Sequence, residues 1–402
     1  MNASQNTRRV VVTHALRTPI GRYLGSFKDL SAADLGASVV GDLVRRAGLD
    51  AGEVGEVVMG NARQAGGGPN VARQIAHRSG LGDLVPAWTM NMACGSGLKA
   101  IESVASAIAA GRYDIGIAGG AESMSGLPFF LPKMRAGYRL GHAKVVDAMY
   151  QDGFVCPLAD MVMGETVEGL AQDLGISREE QDAFALDSQQ KAGAAMEAGR
   201  FADEIAPVEV PQRKGEPVNV TTDEHPRPDT NLEKLGKLPP VFDADKGTVT
   251  AANSSGITDG AAGLVLRSAE EAERRGLEPL ATVGECAQAG VDPRRMGIGP
   301  IPAVEALAKK NGIAPADYDL VELNEAFAAQ VLACQRELDF PADRLNVNGG
   351  AIALGHPIGA TGARIVVTLV HEMARRGAAN GLATLCISGG MGLAFAFHRE
   401  ED

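Results

Sequence analysis

The chain has 402 residues, of which 45% are hydrophobic and 22% charged, a balance typical of a folded globular protein rather than a disordered or fibrous one. Its formal net charge of −12 argues against a surface that binds nucleic acid or an anionic membrane. The five cysteines form no CxxC pair and the seven histidines are scattered. We therefore expect a cytoplasmic protein without disulfides or a metal centre.

The predicted elements repeat along the chain, which indicates a diverged internal duplication. In residues 46–62 and again in residues 310–326, a helix stops at a glycine and an acidic turn leads into an apolar strand. Residues 95–120 and 361–390 form a second pair, in which an amphipathic helix precedes a buried strand. Because helices alternate with buried strands, we expect a mostly parallel, helix-covered sheet in each half.

The middle of the chain differs from both halves. It is rich in proline turns and short strands such as residues 208–210, and Ser177 with Glu180 predicts a capped helix over residues 177–197. Residues 213–240 are polar and proline-rich, which predicts a surface loop. We interpret this region as an inserted, loop-rich cap.

These patterns predict three units. The N-terminal half takes residues 1–124 and 257–278, the cap takes residues 125–256, and the C-terminal half takes residues 279–402. The uncharged residues 377–397 are long enough to resemble a membrane span, but they contain five glycines. They are therefore predicted to form a strand, a turn and a second strand.

Cys94 lies in a glycine-rich turn, residues 94–97, just before a predicted helix. Glycine lets a backbone approach a ligand closely, and the helix N-terminus favours an anion. This setting predicts an accessible thiolate with oxyanion-stabilising N–H groups beside it. The competing interpretation is a buried structural cysteine, which the flanking glycines disfavour.

Three further residues are candidates for catalysis. His356, between a glycine and a proline, is held on a rigid turn and could act as a general base. Asn324 lies at a predicted strand end, where α/β sheets bind ligands, although a loop cap is an equal alternative. Cys386 ends the last predicted strand at a glycine turn and could move a proton. The remaining cysteines are interpreted as structural: Cys156, Cys286 and Cys334.

With these motifs the chain resembles the thiolase family of acyl-CoA C-acyltransferases, from about residue 10 to residue 397. The resemblance rests on residues 94–97, 324–327, 355–357 and 386–390, which are specific in combination. It implies a thiolase fold, five-layered α/β/α/β/α from two duplicated halves with an inserted cap, and a homodimer or homotetramer.

The resemblance also implies a role for each candidate. Cys94 would take the acyl group as a thioester, activated by His356. His356 and a water held by Asn324 would stabilise the enolate oxygen, and Cys386 would abstract or return the α-proton. The backbone N–H groups of Cys94 and Ser388 would form a second oxyanion hole.

By the same resemblance, coenzyme A is a substrate and no cofactor or metal is implied. The carrier would lie along the cap, with Arg227 near its adenine and phosphate end. The other implied contacts are Met163, Ala251, Ser255, Ala326 and Phe327. The activity would be reversible condensation of acyl-CoA with acetyl-CoA, or CoA-dependent cleavage of 3-oxoacyl-CoA in fatty acid metabolism, with ping-pong kinetics.

Two departures from the family pattern and two alternatives accompany this interpretation. Val162 stands where biosynthetic members often carry histidine, which favours a broader or longer acyl chain, and Ser388 replaces the usual glycine. A decarboxylating ketoacyl synthase uses one cysteine with two histidines or with a histidine and an asparagine, so Cys386 argues against it. A non-catalytic acyl-CoA or lipid-carrier relative should have lost at least one of the four candidate catalytic residues, and all four are present in this chain.

Overall fold

The computed structural model describes residues 8–399. Its strands are β1 Val10–Arg17, β2 Gly21–Arg22, β3 Glu56–Gly60, β4 Ala87–Met90, β5 Ile115–Ser123, β6 Phe129–Phe130, β7 Val146–Asp147, β8 Val155–Cys156, β9 Met161–Val162, β10 Val208–Val210, β11 Val218–Val220, β12 Thr258–Ser268, β13 Ala281–Gly290, β14 Leu320–Leu323, β15 Asn380–Ile387 and β16 Met391–His398. Its α-helices are α1 Ala32–Arg46, α2 Val71–Ala76, α3 Ser96–Ala109, α4 Met163–Leu174, α5 Arg178–Glu197, α6 Leu232–Gly236, α7 Ala269–Arg274, α8 Pro300–Asn311, α9 Ala328–Leu338, α10 Ala351–Leu354 and α11 Ile358–Arg376.

One sheet runs through both halves of the sequence. Its strand order is β14-β15-β16-β13-β1-β12-β5-β3-β4, with β2 paired to β12. The halves meet where β1 pairs with β13 through Val11 and Val12. This connection makes the two sheets of the duplicated halves continuous.

The expectation of a mostly parallel sheet is wrong. Parallel pairing is confined to β3 with β4 and β5, and to β14 with β15. Strands β12, β13 and β16 pair antiparallel with their neighbours. The reason is connectivity, because β16 follows β15 through a tight turn and such a connection reverses the strand direction.

The molecule has the five layers expected of the thiolase fold. Helices α3 and α11 pack against each other and against strands of the halves on either side. Helices α1 and α2 cover the outer face of the first half, and α8 and α9 cover that of the second. Strands β5 and β12 are buried along their whole length because helices cover both faces.

The middle segment contains α4 to α6 and three two-stranded sheets. Helix α5 begins with the predicted capping box of Ser177 and Glu180, and the predicted strand at residues 208–210 is β10. The expected surface loop, residues 213–240, contains the short elements β11 and α6. The division into two halves and a cap stays a prediction.

The uncharged residues 377–397 form β15, a glycine turn and most of β16, as predicted. Within residues 8–399, no helix is long and apolar enough to cross a membrane.

Candidate active site

Two of the candidate residues lie at the ends of neighbouring parallel strands. Asn324 directly follows β14, and Cys386 is near the end of β15. The strands are in register with Leu323 opposite Thr384, and the backbone N–H of Asn324 donates to the carbonyl of Thr384 at 3.0 Å. Parallel pairing therefore places Asn324 and Cys386 at one edge of the sheet.

The turn that carries Cys94 is strained and held by hydrogen bonds. Ala93 has a φ of +46°, which non-glycine residues adopt rarely. Its N–H donates to Asn91 Oδ1 at 3.0 Å, and its carbonyl accepts from Ser96 Oγ at 2.6 Å. Ser96 Oγ also accepts from the N–H of Met92 at 2.9 Å. These bonds fix the position of Cys94. The sequence did not indicate the strained backbone, because an alanine does not mark a position of positive φ.

The glycines after Cys94 allow the two halves to approach closely. A Cβ atom on Gly95 would lie 2.7 Å from the side chain of Ile387, and one on Gly97 would lie 2.7 Å from the backbone of Ala363. The contact with Ile387 places the Cys94 turn beside the end of β15. There the backbone N–H of Ser388 is near enough to the Cys94 thiol to lower its pKa.

Cys386 is also close to Cys94, near enough for the two sulfur atoms to interact electrostatically. Cys386 is buried, whereas Cys94 is partly accessible. The structure thus brings both predicted thiols and the predicted backbone donor of Ser388 into one place.

Burial favours the protonated form of both thiols. Burial raises the pKa of Cys94, although the charge of Arg63 and the N–H groups of Ser388 and Cys94 itself lower it. Burial likewise raises the pKa of Cys386 well above its ordinary value. The direction of the Cys94 pKa shift runs against the expectation that the helix N-terminus makes the Cys94 thiolate readily available, because the effect of burial is the largest.

His356 is held as a neutral imidazole. Burial, followed by the positive charges of Arg63 and Arg364, lowers its pKa to about 3. Its Nδ1 lies 2.6 Å from Thr361 Oγ1, and that hydroxyl donates to the carbonyl of Pro357 at 3.1 Å. Because the hydroxyl has one proton, we assign the ring N–H to Nδ1, which leaves the Nε2 lone pair free to accept a proton.

The His356 turn lies against the Cys94 turn. Ile358, two residues after the histidine, packs with Cys94 in one apolar cluster. The backbone N–H of His356 donates to the carbonyl of Gly256 at 3.0 Å. The base is therefore positioned by the segment that precedes β12 as well as by its own helix.

The Asn324 side chain is fully buried, yet neither its Oδ1 nor its Nδ2 has a hydrogen-bond partner among residues 8–399. Buried amides are nearly always hydrogen-bonded to protein or to ordered water. An unsatisfied amide at the strand edge that also carries Cys386 is chemically suited to hold a water or a polar ligand group.

Glu122, at the end of β5, is a buried carboxylate that sequence reasoning missed. It accepts from Asn61 Nδ2 at 2.7 Å and from the backbone N–H groups of Ala62, Arg63 and Gly359 at 3.1, 3.1 and 2.8 Å. It therefore ties the end of β3 to the His356 turn. A lone glutamate in the otherwise uncharged run of residues 115–123 was the available signal.

Five of the six residues predicted to contact coenzyme A line a cavity of about 660 Å³ beside the middle segment. Its lining includes Met163, Arg227, Ala251, Ser255 and Phe327. The sixth, Ala326, is buried behind the lining, and its carbonyl accepts from the N–H of Ser255 at 3.0 Å.

A second cavity of about 390 Å³ adjoins the first and shares three of its lining residues, namely His225, Arg227 and Ala251. The two cavities together offer an extended path along the middle segment, with Lys234 in the second cavity. Among residues 8–399, no group of three or more His, Cys, Asp or Glu side chains is arranged to hold a metal ion.

Two family models match the chain. The thiolase N-terminal domain model covers residues 10–270, and the thiolase C-terminal domain model covers residues 277–399. Among the relatives of this chain, an acetyl-CoA acetyltransferase of Pseudomonas aeruginosa is 53% identical over 97% of this chain and 99% of that protein. An acetyl-CoA acetyltransferase of Cupriavidus necator is 51% identical over the same shares.

Solved structures give the same result. The crystal structure of an acetyl-CoA acetyltransferase of Bacillus anthracis superposes with a TM-score of 0.96 at 44% identity, covering 98% of this chain and 100% of that one. Human mitochondrial 3-ketoacyl-CoA thiolase superposes with a TM-score of 0.94 at 41% identity, with the same coverage. The chain therefore belongs to the thiolase family of acyltransferases.

Proposed function

We propose that this protein is an acyl-CoA C-acyltransferase that condenses acyl-CoA with acetyl-CoA and, in reverse, cleaves 3-oxoacyl-CoA with coenzyme A. The observation that supports it best is the meeting of two thiols, Cys94 and Cys386, beside the N–H of Ser388. A base and an unsatisfied amide, His356 and Asn324, complete the set. A ketoacyl synthase does not use a second catalytic thiol such as Cys386, and a non-catalytic carrier does not need a general base such as His356.

In the cleavage direction, His356 Nε2 takes the proton of Cys94 as the sulfur attacks the 3-oxo carbon. The N–H groups of Cys94 and Ser388 stabilise the oxyanion that forms there. The bond between C2 and C3 then breaks, and its electron pair passes to the departing acetyl-CoA enolate. His356 and a water on Asn324 stabilise the enolate oxygen, and the Cys386 thiol protonates its carbon.

In the second half of the cycle, the thiol of a new coenzyme A attacks the thioester on Cys94. Its proton goes to the Cys386 thiolate, and the departing Cys94 thiolate recovers its proton from the His356 imidazolium. Both residues thus return to their starting states. Because burial raises the pKa of Cys386, its thiolate is a strong base, which suits it to abstract an α-proton in the condensation direction.

Coenzyme A is a substrate in this proposal and no other cofactor takes part. Its pantetheine chain would lie in the cavity lined by Met163, Ser255 and Phe327, and Arg227 would face its adenine and phosphate end. Val162 lines the same cavity, and a valine in place of histidine supports a broader or longer acyl chain. The odd number of cysteines supports a cytoplasmic location, and the family resemblance supports a homodimer or homotetramer.

The test is cleavage of acetoacetyl-CoA and of a longer 3-oxoacyl-CoA by wild type and single-cysteine variants. We expect Cys94→Ala to lose both activities and the acyl-enzyme seen by mass spectrometry. Cys386→Ala should still accept an acyl group on Cys94 but lose turnover. Cys286→Ala, in a partly exposed strand away from the site, is the matched control and should retain full activity.

The outcomes separate the alternatives. Normal turnover by Cys386→Ala would show that the assigned proton relay is wrong. A wild type that binds acyl-CoA but cleaves neither substrate would favour the carrier alternative. The ratio of the two wild-type activities gives the chain-length class.

A further inference from the structure

Arg63, in the segment that follows β3, is buried and only 7% exposed. Its Nη2 donates to the carbonyl of Gly153 at 3.1 Å, and a Cβ on Gly153 would lie 2.7 Å from its Nε. The guanidinium is therefore pressed beneath the turn Tyr150–Phe154 of the middle segment. Nothing in the sequence marked this arginine as buried.

Among the described residues the buried guanidinium makes no direct ion pair, although the nearby Glu122 carboxylate interacts with it electrostatically. Within residues 8–399 its Nε has no hydrogen-bond partner, and no acidic side chain lies within ion-pair distance of it. The oxygens of Glu122 are occupied by four other N–H groups, one of them the backbone N–H of Arg63. Because no carboxylate pairs directly with the buried guanidinium, it is able to stabilise a further negative charge that arises nearby.

The reacting sulfur is the nearby group that acquires such a charge. Ala62, which precedes Arg63, and Phe154, which follows Gly153, both pack with Cys94 in one apolar cluster. The guanidinium thus lies beside the cluster that contains Cys94, near enough to act on the sulfur electrostatically. Charges interact strongly in such a water-poor environment.

We propose that Arg63 is a further residue of the acyl-transfer machinery, a fixed positive charge that stabilises the Cys94 thiolate each time it forms or leaves. The inference rests on the proposed role of Cys94 as nucleophile. Three charged or titratable side chains interact with this sulfur, namely Arg63 beyond β3, Glu122 on β5 and Cys386 on β15, and His356 lies on the turn that packs against the Cys94 turn. Of these, Arg63 lowers the pKa of the Cys94 thiol, and Glu122 opposes it.

The test measures alkylation of Cys94 by iodoacetamide in the substrate-free full-length protein from pH 6 to pH 10, read by mass spectrometry of the Cys94 peptide. We expect Arg63→Gln and Arg63→Met to react about tenfold more slowly at a given pH, which corresponds to a profile displaced upward by about one pH unit. Arg63→Lys keeps the positive charge but loses the planar guanidinium group, and it should show the wild-type dependence of alkylation rate on pH. Arg344→Gln is the control, because Arg344 is a half-buried arginine that donates to the carbonyl of Tyr318 at 3.2 Å in another layer.

A wild-type profile in both neutral variants would overturn the proposal. So would a lysine variant that reacts as slowly as the neutral ones, because the bond to Gly153 would then matter rather than the charge. A neutral variant with an unchanged alkylation profile but altered preference for carboxylated acyl groups would assign Arg63 to substrate recognition instead. Since alkylation needs no substrate, failure of the proposed thiolase activity would be seen separately, in the cleavage assay.

Discussion

The reacting side chains share a resting state that burial imposes. Cys94 and Cys386 are thiols and His356 is a neutral imidazole, because removing each from water disfavours its charged form. Burial therefore favours the uncharged forms of these three side chains before substrate binds. In the proposed mechanism, proton transfer from Cys94 to His356 accompanies the attack, and the N–H donors and Arg63 are already in place to stabilise the charge that appears.

Asn324 offers a way to separate function from stability at a single residue. Its amide makes no hydrogen bond to residues 8–399, so Asn324→Ala should change the free energy of unfolding by less than about 1 kcal/mol. Cleavage of acetoacetyl-CoA should nevertheless fall by about 10² to 10³, the usual loss when an oxyanion donor is removed. Urea unfolding and steady-state kinetics on the same preparation measure both.

The matched control for Asn324 is the nearby Asn346. Its amide is fully engaged, since Oδ1 accepts from the N–H of Leu323 at 2.9 Å, and Nδ2 donates to the carbonyl of Leu323 at 2.8 Å and to Glu325 at 2.9 Å. Asn346→Ala should therefore cost about 2 to 3 kcal/mol of stability. Equal losses of stability in the two variants would contradict the conclusion that the Asn324 side chain makes no stabilising hydrogen bonds and is free to hold a water.

At the scale of elements, the site depends on a glycine contact between the halves. The carbonyl of Gly359, in the first turn of α11, is enclosed by glycines of the first half. A Cβ on Gly60 would lie 2.7 Å from this oxygen, one on Gly97 would lie 3.1 Å from it, and one on Gly120 would overlap it. Only backbone-to-backbone packing lets the His356 turn reach the Cys94 turn.

Gly120→Ala should therefore disturb both folding and catalysis. The added methyl group meets backbone atoms of Gly359 and Ala360, which cannot rotate away, so we expect a loss of about 1 to 3 kcal/mol. Cleavage activity should fall as well, because displacing Gly359 also displaces His356. Thermal unfolding and acetoacetyl-CoA cleavage give the two readouts.

The control for this substitution is Gly169→Ala in helix α4, where an added Cβ meets nothing within 4 Å. Alanine in a helix interior is better than glycine by about 0.5 to 1 kcal/mol, so this variant should be more stable and fully active. Equal behaviour of the two glycine variants would argue against a tight contact at Gly120.

The sequence was most informative where structure follows from local chemistry. The capping box at Ser177 and Glu180, the glycine turns and the strand-end motifs all predict short-range features, and the structure contains them. Strand direction was predicted wrongly because it depends on how distant segments return to the sheet. Arg63 was missed because a single charged residue does not reveal that its side chain is buried, whereas Glu122 was missed although it is the only charge in the run of residues 115–123.

At the scale of the whole molecule, a buried ionic cluster joins segments far apart in the chain. Arg17 of β1 lies fully buried, with Nε 2.6 Å from Glu204 and Nη1 2.7 Å from Asp223 of the middle segment. Thr368 of α11 donates to the same oxygen of Glu204 at 3.2 Å. The cluster thus connects the first half, the middle segment and the central helix that packs on both halves.

Removing Arg17 should be among the most destabilising single changes in the molecule. Arg17→Met keeps much of the side-chain volume but leaves Glu204 and Asp223 buried without a partner, and breaking such a pair costs about 3 to 5 kcal/mol. Arg45→Met removes a mostly exposed partner of Asp42 and should cost less than about 1 kcal/mol. The comparison is made by urea unfolding at neutral pH, with cleavage activity measured on the folded protein. Because Arg17 lies away from both thiols, the folded fraction of Arg17→Met should keep its activity. Similar stabilities for Arg17→Met and Arg45→Met would show that the buried ionic cluster does not hold these segments together.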